Sequence, residues 1–105
     1  MSSYVFMALY RPKEGKAEEL KRVLEDHVPR LREEGLITSR DTLKLQAADG
    51  TLIEIAEWKS KEAMEKAHVT PSIQEIWDRI SELAELTNLS SLEEADAMFP
   101  NFKPF

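Results

Sequence analysis

Between Tyr4 and Tyr10 the chain offers no polar side chain that could face water: Tyr4, Phe6, Ala8 and Tyr10 alternate with Val5, Met7 and Leu9. β-Branched and aromatic residues favour extended backbone, and Arg11-Pro12 ends the run, so it reads as a β-strand. Side chains alternate between the two faces of a strand, so both faces here are apolar and each needs a covering layer. The rest of the chain supplies helices for one layer. A second copy of the chain is the economical source of the other, which predicts a homodimer through the sheet face.

The helical layer is legible from spacing. From Lys16 to Glu34, Ala17, Leu20, Leu24, His27, Val28 and Leu31 recur at helical intervals, and Gly35 supplies the stop. Pro29 lies inside this run, where a proline removes a backbone hydrogen bond at a cost of about 3 kcal/mol, and a kink near Glu25 is expected. A second helix opens at Ser60, whose hydroxyl can cap it, with Glu62 in the first turn and Ala63, Met64, Ala67 and His68 on one inward face. Thr70-Pro71 repeats the start signal and breaks the helix. Beyond it Ile73, Ile76, Trp77, Ile80, Leu83 and Ala84 form an apolar stripe.

Two further strands, Leu36 to Gln46 and Thr51 to Trp58, flank Ala47-Ala48-Asp49-Gly50, and Asp-Gly between extended runs is a hairpin signal. Leu86 to Ser90 reads as a fourth strand, followed by a capping-box pattern at Ser91-Leu92-Glu93-Glu94. The order β-α-β-β-α-β predicts an α+β ferredoxin-like sandwich, a single domain spanning residues 1–105. Residues 98–105 form a tail with two prolines and three phenylalanines, which rules out a helix there.

Composition excludes several function classes. The chain has no apolar run near the ~20 residues of a membrane span, and no basic-then-apolar leader pattern. Absence of cysteine removes disulfides and thiolate chemistry, and a cytoplasmic location is the expectation. The net charge of -6 arises entirely in residues 51–105, where eleven acidic residues face five basic ones. With basic residues interleaved with acids along helix faces, there is no stripe for nucleic-acid phosphates. Glycines occur only at turns, and no phosphate loop, zinc-protease or serine-hydrolase motif is present. The separation of His27 from His68 gives no reason to expect a metal site.

The candidates for chemistry are few. His68 sits at the helix break, beside the start of the Thr70-Pro71 helix, where a proton acceptor titrating near neutrality suits a phenol or hydroquinone substrate. His27 lies on the inward face of the first helix, as a hydrogen-bonded core residue or a second polar group of a site. Glu54 shares a strand face with Leu52, Ala56 and Trp58. It is either paired, with Arg40 on the neighbouring strand as the candidate, or a cavity carboxylate. Trp58 and Trp77 are core groups or pocket walls.

Glu57-Trp58-Lys59-Ser60, then Ala63, the His68 region, Thr70-Pro71 and a tryptophan-bearing helix, together with Val28-Pro29 and Glu33-Glu34-Gly35, resemble the antibiotic biosynthesis monooxygenase family of dimeric α/β barrels. That resemblance implies a dimeric barrel and, in the branch that matches better, oxygenation of small aromatic quinols or phenols without a cofactor. Haem-degrading members carry an Asn, a Trp and an axial His at positions that fall near Met7, on Ala67 and on Trp77, so that chemistry is disfavoured. Some cofactor-free members pair a Trp at the end of strand 3 with an Asn four residues earlier; here Trp58 is present and Glu54 takes the place of the Asn. The resemblance implies a small aromatic ligand with His68 as the base, walls formed by Phe6, Trp58, Met64 and Trp77, and Glu54 and His27 as further contacts. Phe99, Phe102 and Phe105 would close the pocket or cross to the partner. A non-catalytic binding domain of the same fold, or an isomerase or lyase of the superfamily, is the alternative.

Overall fold

The computed structural model describes residues 2–105. In chain order it contains β1 (Tyr4–Pro12), α1 (Ala17–Glu33), β2 (Leu43–Gln46), β3 (Leu52–Trp58), α2 (Lys61–Ala67), α3 (Pro71–Leu83), β4 (Ala84–Thr87), two short 3-10 turns at Leu89–Ser91 and Glu93–Asp96, and β5 (Lys103–Pro104). The strands make one antiparallel sheet in the order β4-β1-β3-β2-β5. The first four are in ferredoxin-like order, and the aromatic tail adds a fifth strand at the β2 edge. The expected α+β sandwich is the observed fold.

On the inner face, β1 presents Phe6, Ala8 and Tyr10 to the helices, and β3 presents Leu52, Glu54, Ala56 and Trp58; register pairs Phe6 with Ala56 and Ala8 with Glu54. Leu20, Leu24, Val28 and Leu31 of α1 and Ile73, Ile76, Ile80 and Leu83 of α3 are buried against them. α1 runs unbroken through Pro29. Pro29 and Glu25 are both exposed, so the carbonyl that loses its donor is open to water, which offsets much of the cost. Gly35 closes the helix at φ 73°, a left-handed conformation that a Cβ disfavours. Gly50 does the same for the β2–β3 hairpin at φ 93°, where Asp49 accepts the Thr51 N–H at 2.9 Å. That hydrogen bond is the leading cause holding the Asp49 carboxyl below its ordinary value.

Several boundaries differ from the sequence reading. β2 is only Leu43–Gln46; upstream, Ile37 makes an isolated bridge to Trp58. The Thr38 N–H still donates to the Glu57 carbonyl, and beyond it the chain loops out, held by side chains: Arg32 donates to the carbonyls of Thr38 and Arg40, and Thr38 and Arg40 donate to Glu57. β4 begins at Ala84, which is already extended and pairs with Pro12, and ends at Thr87. The capping box does not form. The Ser91 hydroxyl donates to the Asn88 carbonyl, while Glu94 accepts the Ala48 N–H and ties the segment to the hairpin.

The outer sheet face is covered in part by the chain itself. Leu9, Ile53, Leu45 and Ile55 pack with Ala47, Leu92 and Phe102, so the two 3-10 turns and the tail form a partial second layer. Val5, Met7 and Leu43 of the same face stay exposed. Since Leu92 is 5% exposed and Leu89 49%, the two leucines separate the roles of this segment. Leu92→Ala is expected to cost about 2–5 kcal/mol in urea unfolding. Leu89→Ala should stay within about 0.5 kcal/mol; equal effects would mean the segment is not part of the core.

Candidate functional site

A cavity of about 380 Å³ lies between the inner sheet face and the α2–α3 corner. Phe6, Ala8 and Tyr10 reach it from β1, Trp58 from β3, His27 from α1, Met64 and His68 from α2 and its end, Trp77, Ile80 and Ser81 from α3, and Ala84 and Leu86 from β4. Its volume falls in the roughly 300–1,000 Å³ range of small-molecule sites. A larger groove of about 730 Å³ runs between α1 and α3. Its walls are charged residues tied to one another, Arg79 to Glu19 and Glu82, Arg30 to Asp26 and Glu75, which makes it a solvated helix seam.

The walls are aromatic because of where each element starts. Phe6 and Trp58 stand on neighbouring strands with ring centroids 5.0 Å apart. Ser60 caps α2 by accepting the Ala63 N–H at 3.0 Å, which fixes the helix whose turn carries Met64 and His68. Pro71 at the first turn starts α3, and two turns on it delivers Trp77 to the same space. His68 meets Trp77 edge to face at a centroid distance of 5.0 Å.

The floor is a chain of buried polar groups. His27, 3% exposed, places Nδ1 2.7 Å from Oε1 of Glu54, which is fully buried. The Tyr10 hydroxyl donates to the same oxygen at 3.1 Å, and Glu54 Oε2 has no partner among the described residues. On its other side His27 Nε2 lies 2.9 Å from the indole Nε1 of Trp77. An indole N–H only donates, so Nε2 accepts, and the imidazole is the Nδ1–H tautomer donating to Glu54. Burial first, and then the charge and hydrogen bond of Glu54, hold the Tyr10 phenol well above its ordinary value.

Six of the residues expected from the sequence, Phe6, His27, Trp58, Met64, His68 and Trp77, line this cavity together. Glu54 lies behind His27 and Tyr10. Three expectations change. Arg40 pairs with Glu57 at 3.0 Å, not with Glu54, because Arg40 sits in the loop that replaces the start of the expected strand; Glu57 is thereby lowered from the usual carboxylate range, chiefly by Thr38 and then by Arg40. His68 does not face inward as an apolar-face residue would. It caps the C-terminal end of α2, is exposed, and stands at the cavity rim. None of the tail phenylalanines lines the cavity: Phe99 is exposed, Phe102 lies on the outer sheet face, and Phe105 sits by Lys21 and Lys44. Among the lining residues that pattern alone does not single out, Tyr10 is the one in the buried polar chain; its signal is a phenol on the apolar face of β1, whose buried hydroxyl must find a partner.

A family model described as antibiotic biosynthesis monooxygenase matches residues 3–79. The chain belongs to the antibiotic biosynthesis monooxygenase family. Among solved structures, SnoaB, a cofactor-independent oxygenase from Streptomyces nogalater, superposes with a TM-score of 0.69 at 15% identity, over 83% of this chain and 88% of that one, in both its N63A and its 1.9-resolution structures. Rv0793 from Mycobacterium tuberculosis does so with a TM-score of 0.66 at 20% identity, over 82% and 91%. Comparison with curated proteins finds no match. For this member of the antibiotic biosynthesis monooxygenase family, the cavity floor bears on stability at high pH. A phenol whose value is raised in the folded state contributes stability below about pH 10, lost as pH rises past the value of the unfolded chain. The urea midpoint is expected to fall above about pH 10, and Tyr10→Phe should remove part of that fall while costing about 1 kcal/mol at neutral pH. An unchanged alkaline profile in the variant would disconnect Tyr10 from it.

Proposed function

We propose that this protein binds a flat phenol- or quinol-like aromatic in the cavity and oxygenates it with O2 without a cofactor. The observation that carries this reading is a cavity walled by Phe6, Trp58, Met64 and Trp77 with a histidine at its rim whose ring nitrogens are free of protein partners among the described residues. His68 takes the proton from a substrate hydroxyl; the O–H electron pair delocalises into the ring, and the electron-rich carbon transfers an electron to O2. Recombination forms a C–O bond to a peroxide anion, which the proton held by His68 converts to a hydroperoxide. Loss of water from a ring carbon that still bears hydrogen leaves a carbonyl, so one oxygen atom enters the product and the other leaves as water. The apolar walls keep bulk water from the anion while it waits for oxygen. Membership in the monooxygenase family and the fold shared with a cofactor-independent oxygenase support the same reading.

Oxygen uptake against a panel of hydroquinones, naphthalenediols and anthrone-like phenols tests it. Uptake above autoxidation is expected, and His68→Ala should lower it by about 100-fold or more, the usual contribution of a general base. Turnover without oxygen consumption would shift the reading to an isomerase or lyase.

We further propose that two copies pair through the outer sheet face, where Val5, Met7 and Leu43 are exposed beside Ile55. The backing that this layer gives β1 and β3, the strands carrying Phe6, Trp58 and Glu54, links dimerisation to the cavity. Sedimentation should find a dimer that Met7→Glu dissociates, since a charge on a desolvated apolar patch is costly. A monomeric parent protein would sink this proposal without touching the cavity.

A further inference from the structure

Glu54 poses a problem that an oxygenase base at the rim does not solve. A carboxylate with no exposed surface and, among the described residues, no cation beside it and only two neutral donors on one of its oxygens is expensive to bury. What the arrangement lacks is one positive charge. A proton on His27 would supply it, turning an uncompensated anion into an ion pair at 2.7 Å.

The only lone pair that could take that proton is Nε2, which is held by the Trp77 indole N–H at 2.9 Å. Trp77 is half-buried and lines the cavity, as His27 does, so an acidic hydroxyl in the cavity can replace the indole at Nε2. Nothing is then left unpaired. The hydroxyl O–H bond breaks, an N–H bond forms at Nε2, and the electron pair stays on the substrate oxygen. That oxygen then accepts from the new Nε2–H and from the displaced Trp77 N–H. Two donors on one oxygen favour an oxyanion over the neutral hydroxyl.

We propose that Glu54, His27 and Trp77 form a phenolate-binding subsite at the cavity floor, closed at rest by the indole, so that the substrate carries two ionisable oxygens, one at this floor and one at His68. This rests on the aromatic-oxygenase reading and narrows its substrate class. A second negative charge on the ring, generated away from solvent, makes the substrate a stronger electron donor to O2.

The test uses a naphthalenediol with one hydroxyl on each ring and its monomethyl ether, bound without oxygen and followed by tryptophan fluorescence and by the indole N–H resonances. The chain has only two tryptophans, so the Trp77 signal is separable. The diol is expected to bind at least about tenfold more tightly than the ether, the scale of one charge-assisted hydrogen bond. Glu54→Gln and His68→Ala should each abolish that advantage. The diol should also displace the Trp77 resonance in the wild-type protein and in His68→Ala. Loss of the advantage in His68→Ala alone, or a wild-type Trp77 resonance unmoved by bound diol, overturns the floor subsite and leaves the oxygenase reading standing. The resonance measurement needs no variant, so a misfolded Glu54→Gln protein does not shield the proposal. Failure of both ligands to bind overturns both readings.

Discussion

The hydrogen bond between Glu54 and His27 ties the sheet and both long helices to one point. Glu54 comes from the middle of the central β3, His27 from α1, Tyr10 from the end of β1, and Trp77, through His27, from α3. A polar contact of this sort, surrounded by apolar packing, has few alternative arrangements, because any shift of helix against sheet leaves a buried donor or acceptor without a partner. The packing above it, Leu20, Leu24 and Ile76 on Leu52, tolerates small adjustments. The polar chain does not. It therefore sets the distance of α1 and α3 from the sheet, and with it the depth of the cavity.

Two-sided apolarity in β1 sets the other dimension. Its inner face meets helices, as the spacing of α1 and α3 requires, and its outer face is met first by the chain's own Leu92 and Phe102 and only then left open at Val5 and Met7. From the sequence the whole outer face falls to a second copy, because a segment as polar as residues 88 to 96 gives little sign that it will cover anything. One buried leucine and the contact between Glu94 and the Ala48 N–H are enough to dock it.

Patterns with a fixed period were readable and pairings between distant residues were not. The helices, the Asp49-Gly50 hairpin, the Ser60 cap and the break at Pro71 follow from local spacing and turn chemistry, and with them the topology and six of the twelve cavity residues. Glu54 stands out in the sequence because a carboxylate on an apolar face is anomalous, yet nothing local identifies its partner. Arg40 is the nearest cation by strand register, but register fails where Ser39 and Arg40 leave the sheet, and the actual partner lies 27 residues upstream on a helix. The position of His68 escapes the pattern for a related reason. Periodicity puts it on the inward face, but it comes at the last turn of a seven-residue helix, where the chain is already turning toward Thr70 and the face no longer points at the core.

β5 has a role beyond bringing the tail to rest. β2 has only four residues, and without a neighbour its outer edge would present unpaired backbone groups to any passing strand. Lys103 and Pro104 occupy that edge opposite Gln46 and Leu45. Proline has no N–H to offer outward, and the lysine adds charge beside it, a combination that discourages further strands from joining. β5 thus works as a terminator for one side of the sheet: strand addition along the β2 edge stops there, and β4 is left as the edge with a free side.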